Sequence, residues 1–237
     1  MNRKHAFLRG LIAGIPICLG YLSVSFAFGI YAVEAGLSVL EVVFISMTCV
    51  TSAGQLAAVP IITGGGGLVE LAVSQLVINI RYSLMSVSLS QKLDPFVRPW
   101  DRFAIAFVNT DEVFAVAVSQ REAVSKWFMY GLIITPWAGW TLGTLLGAVA
   151  GDILPAIVTS SLGVAIYGMF IAIVVPEAKK SRPTAICAGI AVALSCLFYF
   201  VPMLAKIPSG FTVIICAVAA SALMAWLKPV PQEESHE

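Results

Sequence analysis

The stretch Trp127-Phe-Met-Tyr-Gly-Leu-Ile-Ile-Thr-Pro136-Trp-Ala-Gly-Trp140-Thr-Leu-Gly-Thr-Leu-Leu-Gly147-Ala-Val-Ala-Gly151 runs from end to end without one charged side chain. A helix needs about 20 such residues to cross the hydrocarbon core of a bilayer, so this stretch reads as a membrane span. Working outward, comparable charge-free runs occupy residues 10–33, 42–69, 153–176, 183–205 and 207–227. The chain is 59% hydrophobic and 11% charged, against about 25% charged in a soluble domain. Too few polar residues remain to cover a water-facing surface, so lipid must supply that cover. The expected fold is an all-α, polytopic transmembrane helical bundle, a single domain over residues 1–237.

The spans drawn from this pattern are 10–33, 39–62, 67–90, 101–120, 127–150, 153–176, 184–204 and 208–227. Turn-forming sequence separates them: Glu34 to Ser38, the run Gly64-Gly65-Gly66-Gly67, Gln91 to Asp101, Arg121 to Lys126, Gly151 to Pro155, Lys179 to Pro183 and Lys206 to Gly210. The opening MNRKHAFLRG is basic, but the apolar run after it is too long for a signal peptide and shows no cleavage signal, so it reads as the first span. A net charge of +1 gives no field for nucleic acid, and acidic residues cluster only in the tail at Glu233, Glu234 and Glu237. Cys18, Cys49, Cys187, Cys196 and Cys216 all lie in apolar runs without metal-like spacing, so they read as small packing residues. No metal or cofactor is expected.

Lys and Arg in short loops set the orientation. With eight full crossings and a cytoplasmic N-terminus, the inside holds Arg3, Lys4, Arg9, Arg121, Lys126, Lys179, Lys180, Arg182 and Lys228. Lys92, Arg98, Arg102 and Lys206 then fall outside, and three of these crowd one loop. Were one early segment and the 101–120 segment both re-entrant, that loop would return inside. Irregular backbone at membrane depth is tolerated only where it lines a cavity, so this alternative would also mark a transport path.

Two segments carry charge where none is cheap: Arg81 in the third, and Asp111-Glu112 in the fourth. A central charge costs roughly 3 kcal/mol on insertion scales unless it pairs or meets water. Gln75 and Asn79 share a helical face at i, i+4 before Arg81. Asn109 and Glu112 share a side of the fourth segment, with Asp111 rotated by about 100°. One reading is a structural ion pair between Arg81 and one carboxylate. The other is functional, because a second adjacent carboxylate is left over for proton coupling. Helix-loosening residues point the same way: Gly14-Ile-Pro16 with Gly20, Ser52-Ala53-Gly54-Gln55 with Pro60, and Thr135-Pro136-Trp137. Gly10-Leu-Ile before Pro16 resembles Gly131-Leu-Ile before Pro136, a weak internal repeat dividing near residue 125. Four crossings between the copies would make the repeats parallel, and one re-entrant segment would make them inverted. Gly143, Gly147 and Gly151, four apart, suit close approach of another helix, either a partner's or the chain's own.

Nearly the whole chain resembles the AzlC/YgaZ family, the large subunit of branched-chain amino-acid exporters. The resemblance rests on Gly14-Ile-Pro16, Ser25-Phe-Ala-Phe-Gly29, Gly36-Leu-Ser38, Ser52-Ala-Gly-Gln55, Asn79-Ile-Arg81-Tyr82, Thr110-Asp-Glu-Val-Phe-Ala115 and Trp140-Thr-Leu-Gly-Thr144 with Gly147. Family members often carry histidine where this chain has Tyr82, and its own His5 and His236 lie in the tails. The resemblance implies an exporter of leucine, isoleucine, valine and related compounds in the cytoplasmic (inner) membrane, acting with a small AzlD/YgaH-type membrane subunit. Such a zwitterion needs a cationic partner for its carboxylate, an acceptor for its ammonium and an apolar pocket. Arg81 or amides near Gly54 suit the first. Asp111 or Glu112, with Gln55 and Asn79, suit the second, and Phe26, Phe114 or Trp137 the third. The expected solute pathway is therefore Arg81, Asp111, Glu112, Asn79, Gln55, Asn109, Pro16 and Gly54. A membrane enzyme would need a nucleophile, base or metal set that these segments lack, whereas a passive channel could use the same polar residues.

Overall fold

A computed structural model describes residues 3–154, 168, 171, 174–176 and 178–228. The segment expected at 153–176 and the acidic tail therefore lie largely outside the described residues. The helices are α1 (Arg3–Glu34), α2 (Val39–Thr48), α3 (Ser52–Thr63), α4 (Leu68–Lys92), α5 (Pro99–Ala106), α6 (Asp111–Val118), α7 (Lys126–Ile153), α8 (Arg182–Phe200) and α9 (Ser209–Leu227). Among the described residues, five are long and apolar enough to cross a membrane: α1, α4, α7, α8 and α9.

The axis of the fold is a close parallel pair, α1 with α7. Their seam is lined by glycine, because only a missing Cβ lets two backbones come this near. A Cβ on Gly131 would meet the Phe7 carbonyl oxygen at 2.1 Å, one on Gly139 the Cys18 backbone at 2.7 Å, and one on Gly147 the Phe26 carbonyl oxygen at 1.9 Å. Contacts advance together along both helices from Gly10 and Phe128 at one end to Ile30 and Gly151 at the other. The two helices thus run in the same direction. Exactly one re-entrant segment between them, the inverted arrangement, would leave them antiparallel and does not fit. The glycines at 143, 147 and 151 are taken up by Leu22, Ser25, Phe26 and Ile30 of the chain's own α1, so they do not form a free partner face.

The second segment is split and turns back. At 10 and 12 residues, α2 and α3 span about 15 and 18 Å, short of the roughly 30 Å hydrocarbon core. Starting from a Ser38–Glu41 capping box, α2 runs back along α7. Val42 joins Ala148 in one apolar cluster, Ser46 bonds Thr144 at 2.7 Å, and the Trp137 indole N–H donates to the Met47 carbonyl at 3.0 Å. Extended backbone at Cys49 and Thr51 ends the descent. Then α3 returns: Gln55 donates to Ser46 at 2.8 Å, and Val59 rejoins the cluster of Val42 and Ala148.

The fourth segment mirrors this from the other end. Helices α5 and α6 have eight residues each, about 12 Å. Asp101 at the start of α5 binds Lys126 at 2.9 Å and the Tyr130 hydroxyl at 2.5 Å, near the start of α7. The chain rises to Asn109 and Thr110, which lie level with Val50 and Tyr82. It then falls along α6 to Ser119 and Gln120, beside Arg3 and Phe128. The segments drawn at 39–62 and 101–120 are therefore re-entrant hairpins rather than full crossings. Only α4 crosses between α1 and α7, which is what their parallel direction requires.

This arrangement resolves the crowded outer loop. Arg3, Lys4, Arg9, Lys92, Arg98, Arg102, Arg121 and Lys126 all gather at the end where α1 and α7 begin, here termed the basic end. The bias of Lys and Arg toward the inside makes this the expected inner face. At the opposite end the buried Glu70 carboxylate accepts from the Gly210 N–H at 2.9 Å and so seats the start of α9 beside the start of α4. A carboxylate at a helix N-terminus is favoured by the dipole and by the unpaired N–H groups there.

Candidate functional site

The two hairpin tips meet at mid-depth. Around them lies a cavity of about 600 Å³, walled by Pro16, Ile17, Gly20, Tyr21 and Val24 of α1, Val50 to Ala53 of the first tip, Arg81 and Tyr82 of α4, Thr110 to Glu112 of the second tip, and Trp140 of α7. Both returning half-helices, α3 and α6, begin at this cavity, so their N-terminal amides face it. That is the arrangement by which broken helices hold charged solutes.

Each charged group has a partner. The Arg81 guanidinium is ion-paired with Asp111, and it donates to the Tyr82 hydroxyl at 3.1 Å while lying 4.5 Å from the Tyr82 ring centre. The Arg81 and Asp111 side chains are 51% and 50% exposed, so the pair is accessible from the cavity rather than sealed in protein. Glu112 stands apart from this pair and accepts from the Tyr21 hydroxyl at 2.5 Å. With both carboxylates ionised the set carries one cation and two anions, and one negative charge is left uncompensated. First-turn carboxylates also suit the positive end of α6, whereas the first turn of α3 holds no acidic residue. Thr51 caps the Gly54 N–H, so the α3 amides before Gly54 are the ones left for an incoming anion.

Of the other expected pathway residues, Pro16 lines the cavity and Asn109 lines a smaller one of about 180 Å³ behind it, with Thr48 to Thr51 and Tyr82. Asn109 also donates to Ser86 at 3.2 Å. The rest are placed elsewhere. Gln55 is fully buried and tied to Ser46. Asn79 donates to Gln75, which donates to the Gly54 carbonyl, so Asn79, Gln75 and Gly54 fasten α4 to α3. Gly54 is small because the Gln75 amide oxygen would lie 2.5 Å from a Cβ there. Phe26 packs on Gly147, Phe114 on the inner core, and Trp137 on Met47. The apolar wall is instead Ile17, Val24, Val50 and Trp140.

Sequence reasoning missed Tyr21, Tyr82 and Trp140. Tyr21 meets Trp140 edge-on with ring centres 5.2 Å apart, and the buried Trp140 indole N–H has no partner among the described residues. A tyrosine in the middle of an apolar span is itself a signal, since its hydroxyl needs a partner at that depth.

Comparison with known proteins places the chain in a family. The pattern of the AzlC protein family matches residues 16–154, which is more than half of the chain and contains every cavity residue. The chain is 28% identical to the inner membrane protein YgaZ of Escherichia coli K12, over 96% of this chain and 94% of that one. It is 29% identical to an uncharacterized membrane protein of Archaeoglobus fulgidus, over 95% and 97%. A third relative, an uncharacterized membrane protein of Helicobacter pylori strain 26695, is 26% identical over 83% and 88%. No solved structure matches. The chain belongs to the AzlC family of multi-pass membrane proteins.

Proposed function

We propose that the protein is a secondary transporter that exports branched-chain and similar hydrophobic amino acids across the cytoplasmic membrane. In this reading it is coupled to protons and works with a small AzlD/YgaH-type subunit. Membership of the AzlC family supports a role in membrane transport. The observation that carries the finer reading is the composition of the mid-depth cavity, where one guanidinium, two carboxylates, a half-helix N-terminus without an acidic residue in its first turn and an apolar wall converge.

A zwitterion uses each part. Its carboxylate is received by the α3 amides at Thr51 to Ala53 with the Trp140 N–H, its ammonium by Glu112 or Asp111, and its aliphatic side chain by Ile17, Val24 and Val50. The uncompensated carboxylate supplies the coupling. A neutral zwitterion leaves the cavity net charge at minus one, and one proton brings it to zero, which lowers the cost of reorienting the site across a low-dielectric path.

The test is efflux of labelled leucine, isoleucine, valine, methionine, alanine and lysine from proteoliposomes, with and without the small subunit. The reading requires branched-chain efflux that depends on the pH gradient and on the subunit. Equal efflux of all six solutes, or flux indifferent to an imposed pH gradient, would mark a channel.

A further inference from the structure

A second cavity, of about 570 Å³, lies at the basic end, about 18 Å along α1 from the first if Arg9 and Tyr21 are taken as their markers. Arg3 and Arg9 from α1 and Arg121 from the loop before α7 line it, with Asp94 and Glu122 as the acidic residues in its wall. The three guanidiniums outnumber the two carboxylates, and Asp94 already accepts from the Phe96 N–H at 2.9 Å. The α7 N-terminus opens into the same space through Ser125, Trp127 and Phe128. Ser125 caps the Phe128 N–H, and the first turn of α7 holds no acidic residue, so the positive end of a 28-residue helix adds to the arginines. Guanidinium forks and helix N-terminal amides are the two groups that best match phosphate oxygens.

Two features place this site at a lipid surface. Trp127, with the Arg3 guanidinium 5.9 Å from its ring centre, is the type of residue that marks the membrane interface. The lining is mainly polar, with Ala6, Val124 and Phe128 buried beneath it, and next to Arg9 the apolar Leu8 is 54% exposed. A headgroup held by the arginines can lay its acyl chains along that exposed apolar side chain, which a soluble anion would not use. We propose that this cavity binds the phosphate of an anionic phospholipid headgroup in the inner leaflet. The site is independent of the transport reading, because its ligand is the membrane and not the solute.

Native mass spectrometry of the full chain in detergent tests it, by titration with dioleoylphosphatidylglycerol, with dioleoylphosphatidylcholine, and with inorganic phosphate as competitor. Wild type should retain the anionic lipid over the zwitterionic one by about tenfold or more. The variant Arg3→Gln/Arg9→Gln/Arg121→Gln should lose that preference while eluting as wild type does. Lys92→Gln/Lys228→Gln, which removes two cations outside the cavity, should keep it. Equal retention in wild type and the triple arginine variant would overturn the proposal, as would equal loss in both variants. Displacement of the lipid by inorganic phosphate at comparable concentration would overturn the lipid assignment in favour of a soluble anion.

Discussion

Tyr21 of α1 donates its hydroxyl to the Glu112 carboxylate of α6 at 2.5 Å, joining the central helix pair to the tip of the second hairpin. The bond fixes the one carboxylate of the cavity that Arg81 does not hold. Tyr21→Phe keeps the ring and its contact with Trp140 and removes only the donor. A hydrogen bond to a charged group is worth about 1.5–3 kcal/mol. Leucine flux in proteoliposomes is therefore expected to fall roughly tenfold or more, with yield and oligomeric profile unchanged. Wild-type flux in the variant would mean that Glu112 needs no positioning.

Arg81 and Asp111 should behave as a unit. Asp111→Asn takes the bonded carboxylate from Arg81 and leaves the guanidinium with the Tyr82 hydroxyl and the more distant Glu112, so detergent-extracted yield and melting temperature should drop. Replacing Arg81 with Gln in the same chain should restore part of both, because no guanidinium is then left without its bonded partner. Strictly additive losses in the double variant would show that the two side chains do not share a function in folding.

How much of this was readable in the sequence follows from what each feature leaves in it. Charge-free runs such as Trp127 to Gly151 announce α7 directly, and the same rule finds α1, α8 and α9, whereas α4 carries Glu70 and Arg81 and is drawn from its apolar flanks. Of the helix-loosening motifs, Ser52 to Gln55 marks a break, whereas Pro16 and Pro136 lie inside the continuous helices α1 and α7. A broken segment of some 20 residues, however, has the same length whether it crosses or turns back, so 39–62 and 101–120 could be drawn either way. The clue to re-entrance was the cluster Lys92, Arg98 and Arg102, which returns to the basic end if 39–62 turns back, and 101–120 must then turn back too for α1 and α7 to run parallel. Gly10 and Gly131 read as a repeat, but that α1 and α7 pack side by side and parallel is a property of pairing, which no single run encodes. Opposite charges made Arg81 and Asp111 candidates for each other, whereas Tyr21 carries no charge and so gave no hint of Glu112. Gln55 and Asn79 read as acceptors for an ammonium, but their amide N–H groups donate to Ser46 and Gln75, and neither residue lines the cavity.

The glycine seam gives a stability test. A Cβ on Gly147 would lie 1.9 Å from the Phe26 carbonyl oxygen and within 2.9 Å of two further Phe26 backbone atoms. Backbone cannot rotate away, so Gly147→Ala must part α1 from α7 and should cost about 1–3 kcal/mol or more. Among the described residues, nothing lies within 4 Å of the Cβ position of Gly189 on α8, so Gly189→Ala should be neutral or gain up to about 1 kcal/mol from helix propensity. Thermal melting in one detergent compares the two. Equal melting temperatures would contradict the close pairing.

Asp101 gives a pH test at the basic surface, outside the spanning helices. Its hydrogen bonds from the Tyr130 hydroxyl and the Lys126 ammonium hold its carboxyl below the usual carboxylate range. A carboxyl depressed in the folded state adds stability above its unfolded value, near about 4, and that stability is lost as pH falls through the folded value. Hydrogen exchange in α5 should therefore be slower in wild type than in Asp101→Asn at neutral pH, and the two should converge as pH falls below about 4. A difference that persisted in acid would assign the protection to something other than the carboxylate.

The central claim, that the mid-depth cavity carries a proton-coupled solute, is tested most directly by Glu112→Gln in proteoliposomes given labelled leucine and an imposed pH gradient. The amide keeps the size of the protonated acid and accepts from Tyr21 still. The account predicts that the variant exchanges internal for external leucine yet no longer moves it against its gradient when the pH gradient is applied. Gradient-driven accumulation equal to wild type would contradict it.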